Sequence, residues 1–264
     1  MRSLFRYIKL YAHFVGNCMT RELLFRTHFV LSFSARLLFF ILFILFYNVI
    51  YSSSASFGNW THDEALLYVS MFFFIDTIGF TFFIKNFSTF PEYISEGTLD
   101  IILTKPVDSQ FFVSLRYFSL ISFLSIFPPL ALLIRQLIVL NLEISIVNFI
   151  TFLIFTAASL AIYYSLWFIT NLILFWVERI DALHEFFITI WRFMQFPPDI
   201  FQSVIRLFFI FIVPILFSIV VPTQALQSIF EIKNILSLLL AAIFSLCMSR
   251  ILWKIGLRRY QSTG

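Results

Sequence analysis

Long apolar runs, separated by short polar stretches, form the main pattern of this chain. A helix needs roughly 20 predominantly apolar residues to cross the hydrocarbon core of a bilayer. Five runs meet that requirement on their own, at residues 29–51, 63–84, 111–134, 144–177 and 235–253. An interrupted segment at 182–221 is predicted to make one further net crossing. The pattern therefore predicts an all-α integral membrane domain over residues 1–264 with six transmembrane helices.

Two apolar stretches share the segment 182–221, and Pro197-Pro198-Asp199 separates them. Residues 182–196 contain Arg192, and residues 201–221 contain Arg206. Backbone that enters a membrane without crossing it must be buried in protein or lie in the interface. Either stretch could be the fifth span, with the other re-entrant or interfacial, and the sequence leaves both assignments open.

Residues 1–27 have apolar residues on one side of a helical pattern and basic residues on the other. Phe5 and Ile8 belong to the apolar side, whereas Arg2, Arg6 and Lys9 belong to the basic side. A basic amphipathic helix of this kind lies in the membrane interface, where anionic lipid attracts it to the cytoplasmic face. We therefore predict an N-terminal interface helix that contacts membrane lipid.

The composition supports a membrane protein and indicates how it is oriented. Hydrophobic residues make up 61% of the chain and charged residues 12%, whereas soluble domains carry about 25% charged residues. Of the 18 Lys and Arg residues, six lie at or before Arg36 and four lie from Arg250 onward. Because cytoplasmic segments carry the excess of Lys and Arg, both termini are predicted in the cytoplasm. The net charge of +4 is explained in the same way and does not indicate nucleic-acid binding.

Asp76 is the one acid clearly inside a predicted span, and Arg36 lies in the first half of span one. Intramembrane acids are rare and mark either a transport pathway or a polar pair. The sequence leaves two alternatives open, in which Asp76 lines a translocation route or makes a structural hydrogen bond or ion pair, for which Arg36 is one candidate partner.

No catalytic, cofactor or metal site is predicted. Glu178, Asp181, His184 and Glu185 could face one another on a helix, but at a membrane surface we interpret them as an exposed charged turn. The chain has neither a GxxxxGK[ST] phosphate loop nor a GxSxG motif. It is therefore predicted not to be an enzyme, and the energy for uphill transport would come from a partner or an ion gradient.

Residues 88–108 interrupt the apolar pattern on the predicted cytoplasmic side, between spans two and three. Thr89 and Glu92 have the spacing of a capping box, and Gly97 suits the left-handed residue that ends a helix. They predict a short helix over 90–96. A second short helix is predicted over 98–104, before Lys105-Pro106.

The stretch EGTLDIILTKPVDSQFF, residues 96–112, resembles the EGxLDxxLxKP signature of bacterial six-span permeases of the ABC-2 type. Residues 196–226 resemble the proline-punctuated fifth-span region of those permeases, and residues 252–264 resemble their basic C-terminal ending. The resemblance implies an exporter subunit in the bacterial plasma (inner) membrane. It implies pairing with a second permease, either a related chain or a second copy, above a separate ATPase dimer that binds ATP and Mg.

The resemblance also assigns roles to residues. It makes 88–108 a coupling helix that docks on the ATPase, and it matches residues 1–27 to the family's interface helix, including Arg6 and Lys9. The implied docking and coupling residues are Glu92, Glu96, Gly97, Leu99, Asp100, Lys105 and Pro106.

Two other function classes stay open at this point. An ion-driven transporter or channel would use Asp76, although the chain lacks the internal repeat from which many such transporters are built. A membrane scaffold without transport activity, or a membrane-embedded enzyme, is the other class. The sequence does not predict the substrate.

Overall fold

The structure, a computed structural model, describes residues 2–52, 56–57, 60–143, 145–177, 181–197, 217–229 and 231–260. The helices are α1 (Arg2–Leu24), α2 (Arg26–Ser52), α3 (His62–Gly79), α4 (Lys85–Ser95), α5 (Leu99–Leu103), α6 (Ser109–Leu115), α7 (Leu120–Leu124), α8 (Phe127–Val139), α9 (Ile146–Leu172), α10 (Asp181–Phe193), α11 (Phe217–Leu226) and α12 (Ile232–Arg259). A π-helical turn, Phe80–Ile84, joins α3 to α4, and a 3-10 turn, Ile173–Phe175, follows α9. Strands β1 (Ser56–Phe57) and β2 (Trp60–Thr61) pair as an antiparallel hairpin.

Five helices in the described ranges are long and apolar enough to cross a membrane. They are Arg26–Ser52, His62–Ser95, Leu120–Val139, Ile146–Phe175 and Ile232–Arg259. They fall on the five single runs of the sequence, so the all-helical membrane class is confirmed. The predicted sixth crossing falls on 182–221, of which residues 198–216 lie outside the described part, and the count of six stays a prediction.

Span two begins as predicted but continues further. Thr61 and Glu64 have the sequence spacing of a capping box, which predicts a helix start; Glu64 accepts hydrogen bonds from the Thr61 amide (2.9 Å) and the Thr61 hydroxyl (2.8 Å), which confirms it. The second predicted start, at Thr89, is wrong. The Thr89 hydroxyl donates backwards to Asn86 O at 2.9 Å, and the helix runs unbroken to Ser95 with Pro91 inside it.

Packing explains why the helix continues through a proline. A proline in a helix interior costs about 3 kcal/mol. On α4, Phe87 and Phe90 are 1% and 0% exposed and Tyr93 is 7% exposed. Burying one such aromatic side chain contributes about 1.5–3 kcal/mol, so the shared buried face outweighs the local break.

Span three was predicted over 111–134 with a kink at Pro128-Pro129, and the structure shows more interruptions than that one. The structure divides the region into α6, α7 and α8, with gaps at 116–119 and 125–126. Pro128 and Pro129 lie in the first turn of α8, where a missing amide removes no helical hydrogen bond. The interruption expected at the proline pair is therefore present, at the start of the helix.

Side chains of neighbouring helices satisfy the backbone of the 116–119 gap. Asn86 Nδ2 donates to Tyr117 O (2.9 Å), and the Tyr117 amide donates to Asn86 Oδ1 (2.7 Å). The Ser119 amide donates to Thr81 O (3.1 Å), a carbonyl of the π-helical turn. Non-helical backbone at membrane depth is tolerated only where its polar groups find such partners.

Helices α9 and α12 lie side by side and run in the same direction. At one end, Asn148 Nδ2 on α9 donates to Ser228 Oγ just before α12 (2.7 Å). At the other end, Gly256 approaches Phe175 so closely that a Cβ would lie 2.2 Å from a ring carbon. Because α9 and α12 are parallel, the chain that leaves the end of α9 has to come back to the level where α9 begins before it enters α12. One net crossing between the two helices has this effect.

Helix α10 packs against α2 and α3 through its C-terminal end. The Tyr47 hydroxyl donates to Gln195 O (2.9 Å) and the Tyr68 hydroxyl donates to Met194 O (3.0 Å). These bonds satisfy carbonyls that a helix end leaves without partners. With 13 residues, α10 is about 20 Å long, which is less than the ~30 Å hydrocarbon core.

Candidate functional site

The α4–α6 loop, residues 96–108, and the β1–β2 hairpin lie at opposite ends of one helix, His62–Ser95. We call these two ends of the bundle the loop end and the hairpin end. Gly97 has φ 68° and ends the helix in the left-handed conformation, as predicted. The predicted docking residues therefore lie on both sides of a sharp, glycine-dependent turn at the loop end, with Glu92 and Glu96 before it and Leu99, Asp100, Lys105 and Pro106 after it.

Helix α5 has one buried face and one exposed face. Leu99 and Ile102 are 0% and 3% exposed, whereas Ile101 and Leu103 are 63% and 39% exposed. Leu99, one of the predicted docking residues, thus lies on the face that holds α5 against the bundle. The exposed side of α5 presents Ile101 and Leu103 instead.

The other predicted docking residues lie at the end of α4, on α5 and directly after α5. Glu92, Glu96, Lys105 and Pro106 are exposed, and Asp100 is half-buried. The Asp100 carboxylate lies near Tyr260, the residue that follows α12. Burial raises the pKa of the Tyr260 hydroxyl, and the negative charge of Asp100 raises it further. The loop end therefore carries an exposed apolar pair together with exposed acids and an exposed base.

Asp108 connects the loop to α12 and to α6. Its carboxylate accepts two hydrogen bonds from the Arg250 guanidinium, at 3.1 and 2.5 Å. Arg250 also donates to Gln110 Oε1 (2.8 Å), and the Asp108 carboxylate caps α6 by accepting from the Phe111 amide (3.0 Å). A bidentate arginine–carboxylate pair fixes orientation as well as distance, so the loop and α12 are held in one relative position.

The charge on Asp108 is stabilised in the folded protein. Burial acts to raise the pKa of its carboxyl group, but the Arg250 guanidinium and the Phe111 amide outweigh burial and hold the pKa below its usual value. The side chains of Arg250 and Asp108 are 44% and 34% exposed, so water weakens the pair. The main effect of the pair is therefore to fix the position of the loop relative to α12, and its contribution to stability is small.

Helix α1 contacts the other side of the loop. Arg6 Nη2 donates to Pro106 O (2.6 Å), and the Asp108 amide donates to the Tyr7 hydroxyl (3.0 Å). The Tyr7 ring also packs edge-on against Phe111, with centroids 4.8 Å apart. The loop is consequently attached to α1 and α12 as well as to α4.

The surface of α1 has an apolar part that no described residue covers. Tyr7, Phe14 and Cys18 face the bundle, whereas Phe5 and Ile8 are 71% and 59% exposed. Of the predicted basic side, Arg6 and Lys9 are exposed, and the side chain of Arg2 lies outside the described part. An exposed apolar strip beside basic residues is the surface that an interface helix presents to lipid.

Asp76 and Arg36 do not form the ion pair that one alternative proposed. The Asp76 carboxylate accepts a hydrogen bond from Trp191 Nε1 (2.7 Å), while the Arg36 guanidinium lies over the Phe80 ring, 4.9 Å from its centroid. Both side chains line one cavity of about 410 Å³. The structural partner of Asp76 is thus an indole on α10.

A metal centre is not found in the described part of the chain, where no group of three His, Cys, Asp or Glu side chains could hold an ion. His184 packs on Trp167 with centroids 5.2 Å apart. Glu178 and the side chain of Asp181 lie outside the described residues.

Sequence reasoning did not identify several residues that organise the loop end. Asp108 could have been recognised as a helix cap, because Asp directly precedes Ser109 and Gln110 at the start of α6. Its partner Arg250 is 142 positions away, and no local pattern connects them. Asn86 had no signal either, since a single amide in an apolar run does not indicate which backbone it will bind.

The chain matches the family model described as "ABC-2 family transporter protein" over residues 37–264. The match includes the α4–α6 loop, Asp108 and Arg250. The search of curated proteins found no match, and the search of solved structures found none either.

Proposed function

Because the chain belongs to the ABC-2 family of transporter proteins, we propose that it is the permease subunit of an ATP-binding-cassette exporter in the bacterial inner membrane. In this proposal a separate ATPase dimer binds ATP and Mg and docks on the loop end. A second permease, either another copy or a related chain, completes the transport path. The chain itself supplies the membrane path and the docking surface, and hydrolysis belongs to the partner.

The exposed face of α5 is the observation that carries this proposal. Ile101 is 63% exposed on a five-residue helix whose opposite face is buried. An exposed apolar pair together with exposed charged residues, here Glu92, Glu96 and Lys105, is typical of a protein–protein contact. The surface suits a partner that presses on α5.

The attachments of the loop support a coupling role. A displacement of α5 would reach α3 through the continuous helix, α12 through Asp108 and Arg250, and α1 through Arg6 and Pro106. Under α5, the ring of Trp253 on α12 packs against Phe90 and Phe168, with centroids 6.0 and 5.6 Å apart. Close-packed aromatic contacts transmit displacement because they have little free volume.

The distribution of basic residues supports a cytoplasmic loop end. Arg6, Lys9, Lys105, Lys254 and the end of α12 at Arg259 lie there. Cytoplasmic segments carry such an excess. The docking surface would then face the compartment that contains ATP, with both termini on that side.

A charge placed on α5 tests the proposal. Ile101→Asp alters the exposed face and leaves Leu99 and Ile102 on the buried face. Loss of a central apolar contact should weaken co-purification of the co-expressed ATPase at least about tenfold. ATP hydrolysis by the reconstituted complex should lose its dependence on the permease.

The exposed charges offer a matched pair of variants. Glu96→Lys reverses an exposed charge at the loop end, and Glu143→Lys makes the same change at an exposed position near the hairpin end. We expect Glu96→Lys to weaken the complex and Glu143→Lys to leave it unchanged. If Ile101→Asp and Glu96→Lys both retain the ATPase with normal activity, the loop end is not the docking surface.

A further inference from the structure

Two adjoining cavities lie along one side of α2, and Arg36 lines both of them. The lower cavity, about 490 Å³, lies at the elbow between α1 and α2 and beside the 116–119 gap. The upper cavity, about 410 Å³, lies between α2, α3 and the start of α8. We call the two together the α2 groove.

The lower cavity is basic. Four cationic or titratable basic side chains line it: Arg21, His28, Arg36 and Lys85. The acid that shares the cavity, Glu22, accepts a hydrogen bond from the Ile121 amide (3.1 Å) at the start of α7. The hydrogen bond from the Ile121 amide partly compensates the negative charge of Glu22, so the cavity keeps an excess of positive charge.

The cations of the lower cavity outnumber the carboxylates near them, because Arg21, Arg36 and Lys85 lie there with Glu22, and Asp76 acts on Arg36 from the upper cavity. The Arg21 guanidinium lies over the Tyr117 ring at 5.4 Å, and the Arg36 guanidinium lies over the Phe80 ring at 4.9 Å. None of the four basic residues forms a salt bridge with a carboxylate in the described ranges. Ring contacts orient a guanidinium without cancelling its charge, so an anion can still bind.

The upper cavity is mainly apolar, although Arg36 and the Asp76 carboxylate, which accepts a hydrogen bond from Trp191 Nε1, also line it. Its walls are mainly phenylalanine and proline side chains, including Phe33, Phe40, Phe73, Phe80 and Pro128. The cavity lies farther from the loop end, because α2 carries His28, Ser32 and Arg36 in order, four residues apart on one face. The groove thus changes from basic to apolar along the direction in which a bilayer changes from headgroups to acyl chains.

We propose that the α2 groove binds an anionic phospholipid of the surrounding bilayer. Its phosphate lies among Arg21, Arg36 and Lys85, and one acyl chain lies in the phenylalanine-lined cavity. Arginine binds phosphate oxygens through charge-assisted hydrogen bonds, and each cavity falls in the ~300–1,000 Å³ range of ligand pockets. The outward surface of α2 is apolar, with Leu31 and Leu38 65% and 57% exposed, so a lipid can enter sideways. This inference goes beyond the proposed function, because it needs neither ATP nor a transported substrate.

Native mass spectrometry of the purified full-length chain tests the site. Dioleoylphosphatidylglycerol, dioleoylphosphatidylcholine and dioleoylglycerol have the same chains but differ in charge and in phosphate. We expect the anionic lipid to bind at least about tenfold more tightly than the other two, since each nearby Lys or Arg contributes about 1 kcal/mol to anionic-lipid binding. Inorganic phosphate at millimolar concentration should not displace it, because phosphate lacks the acyl chain.

Variants locate the binding. Arg21→Gln combined with Lys85→Gln should weaken the anionic lipid at least about tenfold and leave the neutral lipids unchanged. Lys254→Gln, an exposed control at the same end of the bundle, should change nothing. Ala35→Phe, which narrows the upper cavity without altering charge, should weaken the dioleoyl lipid more than its dihexanoyl analogue.

Several results would overturn the inference. Equal binding of the three dioleoyl lipids would remove the charge argument, and displacement by inorganic phosphate would make this a phosphate site. An equal loss in Lys254→Gln would show nonspecific attraction. Because binding is measured on this chain alone, such failures leave the ATPase-docking proposal intact, and a normal ATPase complex in Ile101→Asp would leave the α2 groove intact.

Discussion

Removing the Asn86 side chain should open the unwound segment between α6 and α7. Asn86 is fully buried, and it makes hydrogen bonds of 2.8 Å to Phe82 O, 2.9 Å to Tyr117 O and 2.7 Å from the Tyr117 amide. Asn86→Ala leaves both backbone groups of Tyr117 without a partner. An orphaned buried polar group costs about 1–3 kcal/mol, so local opening should become easier by about 2–6 kcal/mol.

Cys18 reports this opening directly. Its thiol is 6% exposed and accepts a hydrogen bond from the Phe118 amide, the residue next to Tyr117. In a Cys247→Ser background Cys18 is the one remaining cysteine, and because it lines a cavity beside Arg116 and Tyr117, its rate of modification by a thiol reagent should rise when the segment opens. Since 1.4 kcal/mol is a factor of ten, Asn86→Ala should accelerate modification at least about thirtyfold in the purified protein.

Two variants serve as controls for this experiment. Asn148→Ala makes the same change but removes a side-chain hydrogen bond to Ser228 at the hairpin end, so the Cys18 rate should stay within about twofold of the parent, as expected for a distant site. Asn86→Asp keeps an acceptor for the Tyr117 amide and should give an intermediate rate. A rate in Asn86→Ala within threefold of the parent, with the helix content intact, would refute the assigned role of Asn86.

Four further outcomes follow from the loop end and the membrane core. Asp108→Asn keeps the helix cap, so a double-mutant cycle with Arg250→Gln should isolate a coupling energy of about 0.5–1 kcal/mol in unfolding free energy, and zero coupling would contradict the pair. Because the pKa of Asp108 is lowered from 3.8, the stability of the pair is present above pH 4 and lost as pH falls through the folded pKa; Arg250→Gln should therefore destabilise at pH 7, and its effect should shrink as the pH is lowered below 4. Gly97→Ala places a Cβ at φ 68° and should cost about 1–2 kcal/mol, whereas Gly16→Ala, in an open helical position, should stabilise by about 0.5–1 kcal/mol. Asp76→Asn keeps an oxygen for the indole donor, so folding and ATP-driven transport should persist, and loss of a potential-driven flux in this variant would instead support an ion-driven carrier.

The long apolar runs were sufficient to locate the membrane helices, but not the breaks inside them. The five candidate spans fall on the five single runs, since hydropathy over about 20 residues is a local property. In span three the proline pair predicted one interruption, but the break at 116–119 was missed, because nothing near those residues indicates that Asn86 and Thr81 will bind their backbone. A helix break of this kind depends on residues from other elements.

At the loop end, too, the sequence predicted one feature correctly and another wrongly. Gly97 was recognised from its position after an acidic turn, because a left-handed residue is a local requirement. Thr89 and Glu92 had the spacing of a cap, yet the helix continues through them because Phe87 and Phe90 share a buried face with the core. Local capping is worth about 1 kcal/mol, less than the burial of two aromatic rings.

The sequence alone determined the membrane class, the family and the approximate position of the α4–α6 loop, because hydropathy, glycine placement and a short motif are each readable within a few residues. Only the tertiary structure decided which face of α5 is exposed, which side chains join the loop to α1 and α12, and that Asp76 pairs with an indole instead of Arg36. Those outcomes depend on contacts between residues up to 142 positions apart. Such contacts are selected by the packing of whole helices, so no local pattern contains them.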